Sequence, residues 1–289
     1  MPEALRVLKR RIQSVTNTKQ VTRAMEMVSA AKLRRTQEKL DAARPYSGKL
    51  RSLLARVTSA EGEFAHPLLE HRSEGRILLV LFSGDRGLAG AFNSAIIKKA
   101  EGFMKDYGKD RVEMYCVGRR GRDHFQRRDW TLVGAEAELR GRIDFEVARR
   151  VSRVAQQKFT AGEVDAVYLV YNSYVSTVRY EQRVEKFLPL DPEAMGAEKV
   201  EAPIEYDFEP SREAVFAELL PRYCESRMYT VLANALTAEH SARRIAMNNA
   251  TQNCEDMIDS LTLKMNKARQ ASITNELLDI VGGAEAIQS

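Results

Sequence analysis

The chain has 289 residues, 44% of them hydrophobic, and a net charge of +5. That is enough apolar material for one large domain or two, with no run near the roughly 18 residues a membrane-crossing helix needs. Cys116, Cys224 and Cys254 form no CxxC and cannot all pair, and His66, His71, His124 and His240 stand singly, so no disulfide framework, metal site or Ser/His/Asp triad is indicated.

The opening "MPEALRVLKRRIQ" has no apolar core of a secretory signal, and Glu3 with an immediate helical pattern argues against a transit peptide. Residues 1–56 carry 14 Lys/Arg against 4 Asp/Glu, whereas the other residues carry 31 against 36. The first segment is therefore expected to seek an acidic partner. From Glu3 to Val57, Gly48 is the only glycine and Pro45 the only proline. Leu5, Leu8, Ile12 and Val15, then Val21, Met25 and Val28, recur in steps of three and four, which predicts a helix over 1–57 with one apolar stripe. Pro45 is expected to kink that helix or to end its first part.

The pattern changes over 75–190. "GRILLVLFSG" (75–84), "DRVEMYCVG" (110–118) and "VDAVYLVYNSY" (164–174) are short apolar, β-branched or aromatic runs, with helical stretches near 92–106, 119–128 and 144–161. Strands alternating with helices predict a mostly parallel α/β sheet, and "TVRYEQRVEKFLPL" (177–190) reads as a further strand. Pro189, Pro192, Pro203 and Pro210 then mark a loop.

The last element, 211–289, is a second long helix. Ser211 can cap it, with Glu213 in its first turn. Pro221 either kinks the helix or begins it. Val231, Ala235, Ala238, Ala242, Ile245 and Asn249, followed by Cys254, Met257, Leu261, Met265 and Ala268, step at the coiled-coil average. One long helix enters the central domain and the other leaves it, so if they pair they run antiparallel. The second is about 20 residues longer, leaving roughly 30 Å of single helix at the end. Its tip "ITNELLDIV" carries Ile273, Leu277, Leu278, Ile280 and Val281, and a lone helix in water is marginal, so something else is expected to surround it. The fold class expected is α/β: a long antiparallel coiled coil of terminal helices with a central Rossmann-like domain.

"LFSGDRGLAGAFN" (81–93), after the first strand, sets Gly84, Gly87 and Gly90 three apart. Such a turn can cradle phosphate. No Lys follows as in GK[ST], the spacing is not GxGxxG, and Asp106 only loosely matches an acidic ribose ligand. The loop is expected to be a tight scaffold turn with Asp85 and Arg86 pairing locally, and no catalytic, cofactor-binding or metal-binding residues are expected in the chain.

Several segments together resemble one family, the gamma subunit of F-type ATP synthase. They are "IQSVTNTKQVTRAMEMVSAAKLRR" (12–35), "SGDRGLAGAFN", "LTAEHSARRIAMNNATQN" and "LTLKMNKARQASITNELLDIVGGA", in the family's order from residue 12 to 284. The resemblance implies a rotor shaft standing inside three alpha and three beta subunits. The α/β domain would sit at the foot against the epsilon subunit and the c-ring. Proton-driven rotation would change nucleotide affinity at the catalytic beta sites. The chain would be non-catalytic, hold no cofactor, bind no nucleic acid and meet a membrane only through the complex, on the cytoplasmic face of a bacterial inner membrane.

Residue by residue, "TRAMEMV" puts Met25 near the beta-subunit lever loop, with packing against the partner helix as the alternative. "SARRIAM" puts Arg243 at the beta catch loop, and "RQASITNEL" puts Gln270, Thr274 and Glu276 there too, with solvated helix faces as the alternative. "EYDFEP" makes Tyr206 and Glu209 candidates for contact with the c-ring at the foot. Arg244 stands where the family has a hydrophobic residue, and Ala89 where it often has cysteine. No paired-cysteine insertion is present, so the thiol regulation of the chloroplast form is not expected. Two other readings fit less well: an α/β nucleotide-dependent catalyst, for which the 83–93 loop offers only Asp85 and Arg86, and a basic coiled coil gripping nucleic acid, for which no recognised motif occurs. Neither accounts for the uncovered tip.

Overall fold

Ile77–Phe82 is six apolar residues in a row and forms the central strand β1, buried along its whole length. A computed structural model describes residues 3–59, 66–73, 75–139, 141–191, 209 and 211–288. In chain order these form helix α1 (Glu3–Ser59), β1, α2 (Phe92–Met104), β2 (Val112–Val117), α3 (Arg119–Gln126), β3 (Thr131–Glu136), α4 (Phe145–Thr160), β4 (Ala166–Ser176), β5 (Arg179–Leu188) and α5 (Arg212–Gln288), with two short 3-10 turns. The sheet order is β3-β2-β1-β4-β5. The first four strands are parallel to their neighbours, and β5 returns antiparallel to β4. This is the mostly parallel α/β sheet expected, flanked by two long helices.

The chain divides into two compact units, Ala30–Arg243 and a second made of Met1–Ser29 with Arg244–Ser289. In the first, alternate residues of β1 face opposite sides of the sheet. Ile77, Leu79 and Leu81 pack with Ile96, Ala100 and Phe125 from α2 and α3. Leu78, Val80 and Phe82 belong to the larger core with Val151 of α4, Leu54 of α1, and Phe216, Leu220, Met228 and Leu232 of α5. From Val231 to Ala242 almost every residue of α5 is buried, because that stretch is covered on several sides.

Strand β3 is an element the sequence reading left unassigned. It carries Gly134 and is half exposed at the sheet edge, so it shows neither an apolar run nor clean alternation. A Cβ at Gly134 would strike the Tyr115 ring at 2.4 Å; the glycine lets that ring lie over the edge strand. Pro45 neither ends α1 nor divides it, and Pro221 lies inside α5 rather than at its start. A single proline removes one backbone donor, and packing on the neighbouring turns can hold the helix through it.

In the second unit the helix pair runs antiparallel. The Thr22 and Thr251 hydroxyls meet at 2.8 Å, Lys19 Nζ reaches Glu255 at 2.9 Å, and Asn248 Nδ2 donates to Glu26 at 3.2 Å. That register puts Glu3 opposite Gln270, so among the described residues α5 runs on past the end of α1 to Gln288, about 27 Å at 1.5 Å per residue. The seam differs in phase from the predicted stripe. Leu5, Leu8, Ile12 and Val15 do face inward, but Thr22 and Ser29 continue the line, and Val21 and Val28 are exposed. On α5 the line passes through Met247, Thr251, Cys254, Ile258 and Leu261, leaving Asn249 and Met257 outside. A 3.5-residue step from Val15 leads to Lys19 and Thr22, not to the nearest valine.

Candidate functional site

The sequence-predicted residues lie in both units: in one, Arg243 is brought onto the glycine loop, and in the other, Gln270, Thr274 and Glu276 lie near the end of α5, away from Met25, which faces the region of Asn248. In the Ala30–Arg243 unit the glycine loop closes on itself. The Gly84 N–H donates to Asn93 Oδ1 at 2.8 Å, and Asn93 Nδ2 donates to the Arg86 carbonyl at 3.1 Å. Asp85, expected to pair with Arg86, accepts from the backbone N–H groups of Arg119 and Glu138, both at 3.1 Å. The next turn is as close-set: the Gly121 N–H bonds Ser83 Oγ at 2.9 Å, and a Cβ at Gly118, where φ is +103°, would sit 2.0 Å from the Ser83 carbonyl oxygen. An amide that a phosphate cradle would present is thus taken up by Asn93, as a scaffold turn requires.

Arg243 does not lie on a solvated face. Its side chain is 11% exposed and bonds Glu239 Oε1 at 2.6 Å, with the guanidinium reaching the Gly87 carbonyl at 3.4 Å. Glu239 is buried, and a Cβ at Gly84 would come within 3.0 Å of its carboxyl, so the absent side chain makes room for the acid. Burial pushes the Glu239 carboxyl up, against the pull of Arg243 and Lys32. His240 beside it is 2% exposed and held down to about 4, first by burial and then by the charge of Arg243. Its Nε2 faces the Gly141 carbonyl at 3.5 Å, and Nδ1 has no hydrogen-bond partner among the described residues. Glu239 escaped the sequence reading. Its spacing of four from Arg243 was visible as a helical ion pair, but burial was not.

In the second unit Met25 is half-buried beside the seam, and its carbonyl accepts from Ser29 Oγ at 2.7 Å. Gln270, Thr274 and Glu276 are exposed. Thr274 Oγ1 donates to the Gln270 carbonyl at 3.0 Å, and Ser272 Oγ to Glu276 at 3.2 Å. Glu276 borders a groove of about 650 Å³ with Leu5, Ile12, Met265 and Ile273. Past it, Leu277, Leu278, Ile280 and Val281 stand exposed. Glu209 is exposed, and Tyr206 lies outside the described residues. Among the described residues no helix is long and apolar enough to cross a membrane, and no cluster of side chains could hold a metal ion.

A family model described as ATP synthase matches residues 4–287. The ATP synthase gamma chain of Pelotomaculum thermopropionicum is 44% identical over 285 residues, covering 99% of each chain. That of Symbiobacterium thermophilum is 42% identical over 290 residues, covering all of both. A chain in the Euglena gracilis mitochondrial ATP synthase, in a structure of OSCP, F1 and c-ring, superposes with a TM-score of 0.68 at 18% identity, over 98% of this chain and 94% of that one. One in the central stalk and c-ring of Tetrahymena thermophila mitochondrial ATP synthase gives 0.59 at 22%, over 80% and 99%. At those identities the structures speak for the fold, and the bacterial relatives, alike from end to end, speak for descent. The chain belongs to the ATP synthase gamma chain family.

Proposed function

We infer that this chain is the central rotor shaft of an F-type ATP synthase, coupling proton-driven rotation of the c-ring to ATP synthesis at the catalytic beta subunits and regulating ATPase activity. The observation that carries this reading is the tip of α5, a helix running on past the end of α1 among the described residues, with four large apolar side chains exposed in sequence neighbourhood. Such a patch marks a surface made to be covered. A sleeve formed by three alpha and three beta subunits would cover it while leaving the helix free to turn.

The chain is the non-catalytic part of an enzyme complex. It turns, and its asymmetry presents a different face to each beta subunit in succession. Met25, Gln270, Thr274 and Glu276 offer partly or fully exposed groups for that contact. Arg243 can join it only by sharing its guanidinium between Glu239 and an incoming carboxylate. The 14 cations of residues 1–56 would face acidic loops of the beta subunits. Exposed pairs are worth about 0–1 kcal/mol each, which suits a surface that must slide. The working parts are the shaft helices 1–57 and 211–289 and the foot 75–190. The foot meets the epsilon subunit and, through Tyr206 and Glu209, the c-ring. Contact with the cytoplasmic face of a bacterial inner membrane is made only through the complex.

Native mass spectrometry of the tagged chain, drawn from its own membranes in mild detergent, tests this. One copy held with three each of two larger subunits is the expected result. Recovery alone, as a homodimer or on nucleic acid would remove the basis for a shaft.

A further inference from the structure

The stretch from Lys98 to Arg128 holds ten Lys/Arg against five Asp/Glu, a surplus as large as that of the whole chain. Much of it gathers in a groove of about 400 Å³ between α2 and α3, lined by Lys98, Glu101, Arg120, Asp123, Arg127 and Arg128, with His124 on its wall. The two carboxylates are already engaged: Glu101 meets His124 Nε2 at 2.8 Å, and Asp123 meets Arg122 at 2.7 Å. Arg128 donates to the His124 carbonyl at 3.2 Å. Lys98, Arg120 and Arg127 form no ion pair among the described residues, although a neighbouring arginine does, Arg119 reaching Glu138 at 2.8 Å. The Arg120 backbone N–H is tied to the Gly84 carbonyl at 3.0 Å, which fixes where that side chain starts.

Like charges turned into one concavity repel each other and focus a positive field there. An anion in the groove relieves that repulsion. One carboxylate, with two oxygens, cannot meet three cations on separate turns. Linked phosphoryl groups carry several charges and more acceptor oxygens, and the guanidinium fork matches phosphate geometry. The volume suits such a ligand, since small-molecule sites run from about 300 to 1,000 Å³. What the groove lacks is a means of reading a base. Its one ring, that of His124, has Glu101 at one nitrogen and Arg128 at the other, 3.3 Å away.

We propose that the α2/α3 groove binds the linked phosphates of a small molecule, a triphosphate chain either free or carried by a nucleotide, with Lys98, Arg120 and Arg127 holding the phosphates and no recognition of a base. The site stands whether or not the rotor reading does, because only the Ala30–Arg243 unit contributes to it.

The test is isothermal titration calorimetry of the full chain, without other subunits, in magnesium-free buffer against inorganic tripolyphosphate, ATP, GTP and AMP. Tripolyphosphate is expected to bind once per chain, ATP and GTP within about threefold of it, and AMP at least about tenfold more weakly. Lys98→Gln with Arg127→Gln should weaken tripolyphosphate at least about tenfold at an unchanged melting temperature, whereas Arg10→Gln with Arg11→Gln, exposed on α1, should leave it as it was. Equal loss from the two pairs would reduce the effect to net charge and overturn the proposal. ATP binding far more tightly than tripolyphosphate would show a base being read, against the proposal. Tighter binding of a hexaglutamate peptide would assign the groove to a protein partner instead. Absence of tripolyphosphate binding, or AMP binding as well as tripolyphosphate, also overturns it.

Discussion

His240 and Glu239 are neighbours on α5, both buried, and titrate in opposite senses. Burial holds His240 down to about 4, from an ordinary value of 6.5. Between those values the unfolded chain takes up a proton that the folded chain refuses, so stability present at higher pH is lost as the pH falls through that window, by up to roughly 3 kcal/mol. Glu239 is raised, so its own share runs the other way and is lost as the pH rises. Urea midpoints across the window should fall with acid in the parent chain, and His240→Gln should remove most of that fall. An unchanged slope in the variant would mean the ring is not held neutral. Neither group was marked in the sequence, where "TAEHSARR" is one polar stretch among many. What singles them out is the approach of Gly84 and Gly141: a Cβ at Gly141 would lie 2.7 Å from the His240 ring.

The long helices were legible because their period persists over many turns, and β1, β2 and β4 because each is a mainly apolar, β-branched or aromatic run between turn residues. Strand β3 was not, since an edge strand with a glycine under an aromatic ring carries no such signature. Seam phase was the other loss: Val21 and Val28 look like core residues but lie outside, while hydroxyls take the inner line. The Thr22–Thr251 contact at 2.8 Å can be measured as an element-level interaction. Thr22→Val or Thr251→Val alone leaves one buried hydroxyl short of its cross-helix partner and should cost about 1–2 kcal/mol, whereas the double variant should lie near the parent. Additive losses would show that the two hydroxyls ignore each other. Of the candidate contacts, Gln270, Thr274 and Glu276 lie on an exposed face, and Arg243 was the one whose setting the pattern could not foretell.

For the molecule as a whole, the exposed tip of α5 dictates behaviour in isolation. Leu277, Leu278, Ile280 and Val281 should drive the purified chain to self-associate, and changing all four to glutamine, a good helix former, should raise the concentration at which this begins at least tenfold. Sedimentation velocity with far-UV circular dichroism separates that outcome from loss of the helix; association unmoved by the change would place its cause elsewhere. The division of the chain has a further consequence, one of time. The second unit is built from Met1–Ser29 and Arg244–Ser289, the first and last parts of the chain. On the ribosome, at about 5–20 residues per second, the basic opening segment emerges roughly 10–40 s before its complement exists. For that interval it is a nascent cationic arm that no part of its own polypeptide yet covers, exposed to any chaperone or nucleic acid nearby, while the Ala30–Arg243 unit can already be folding.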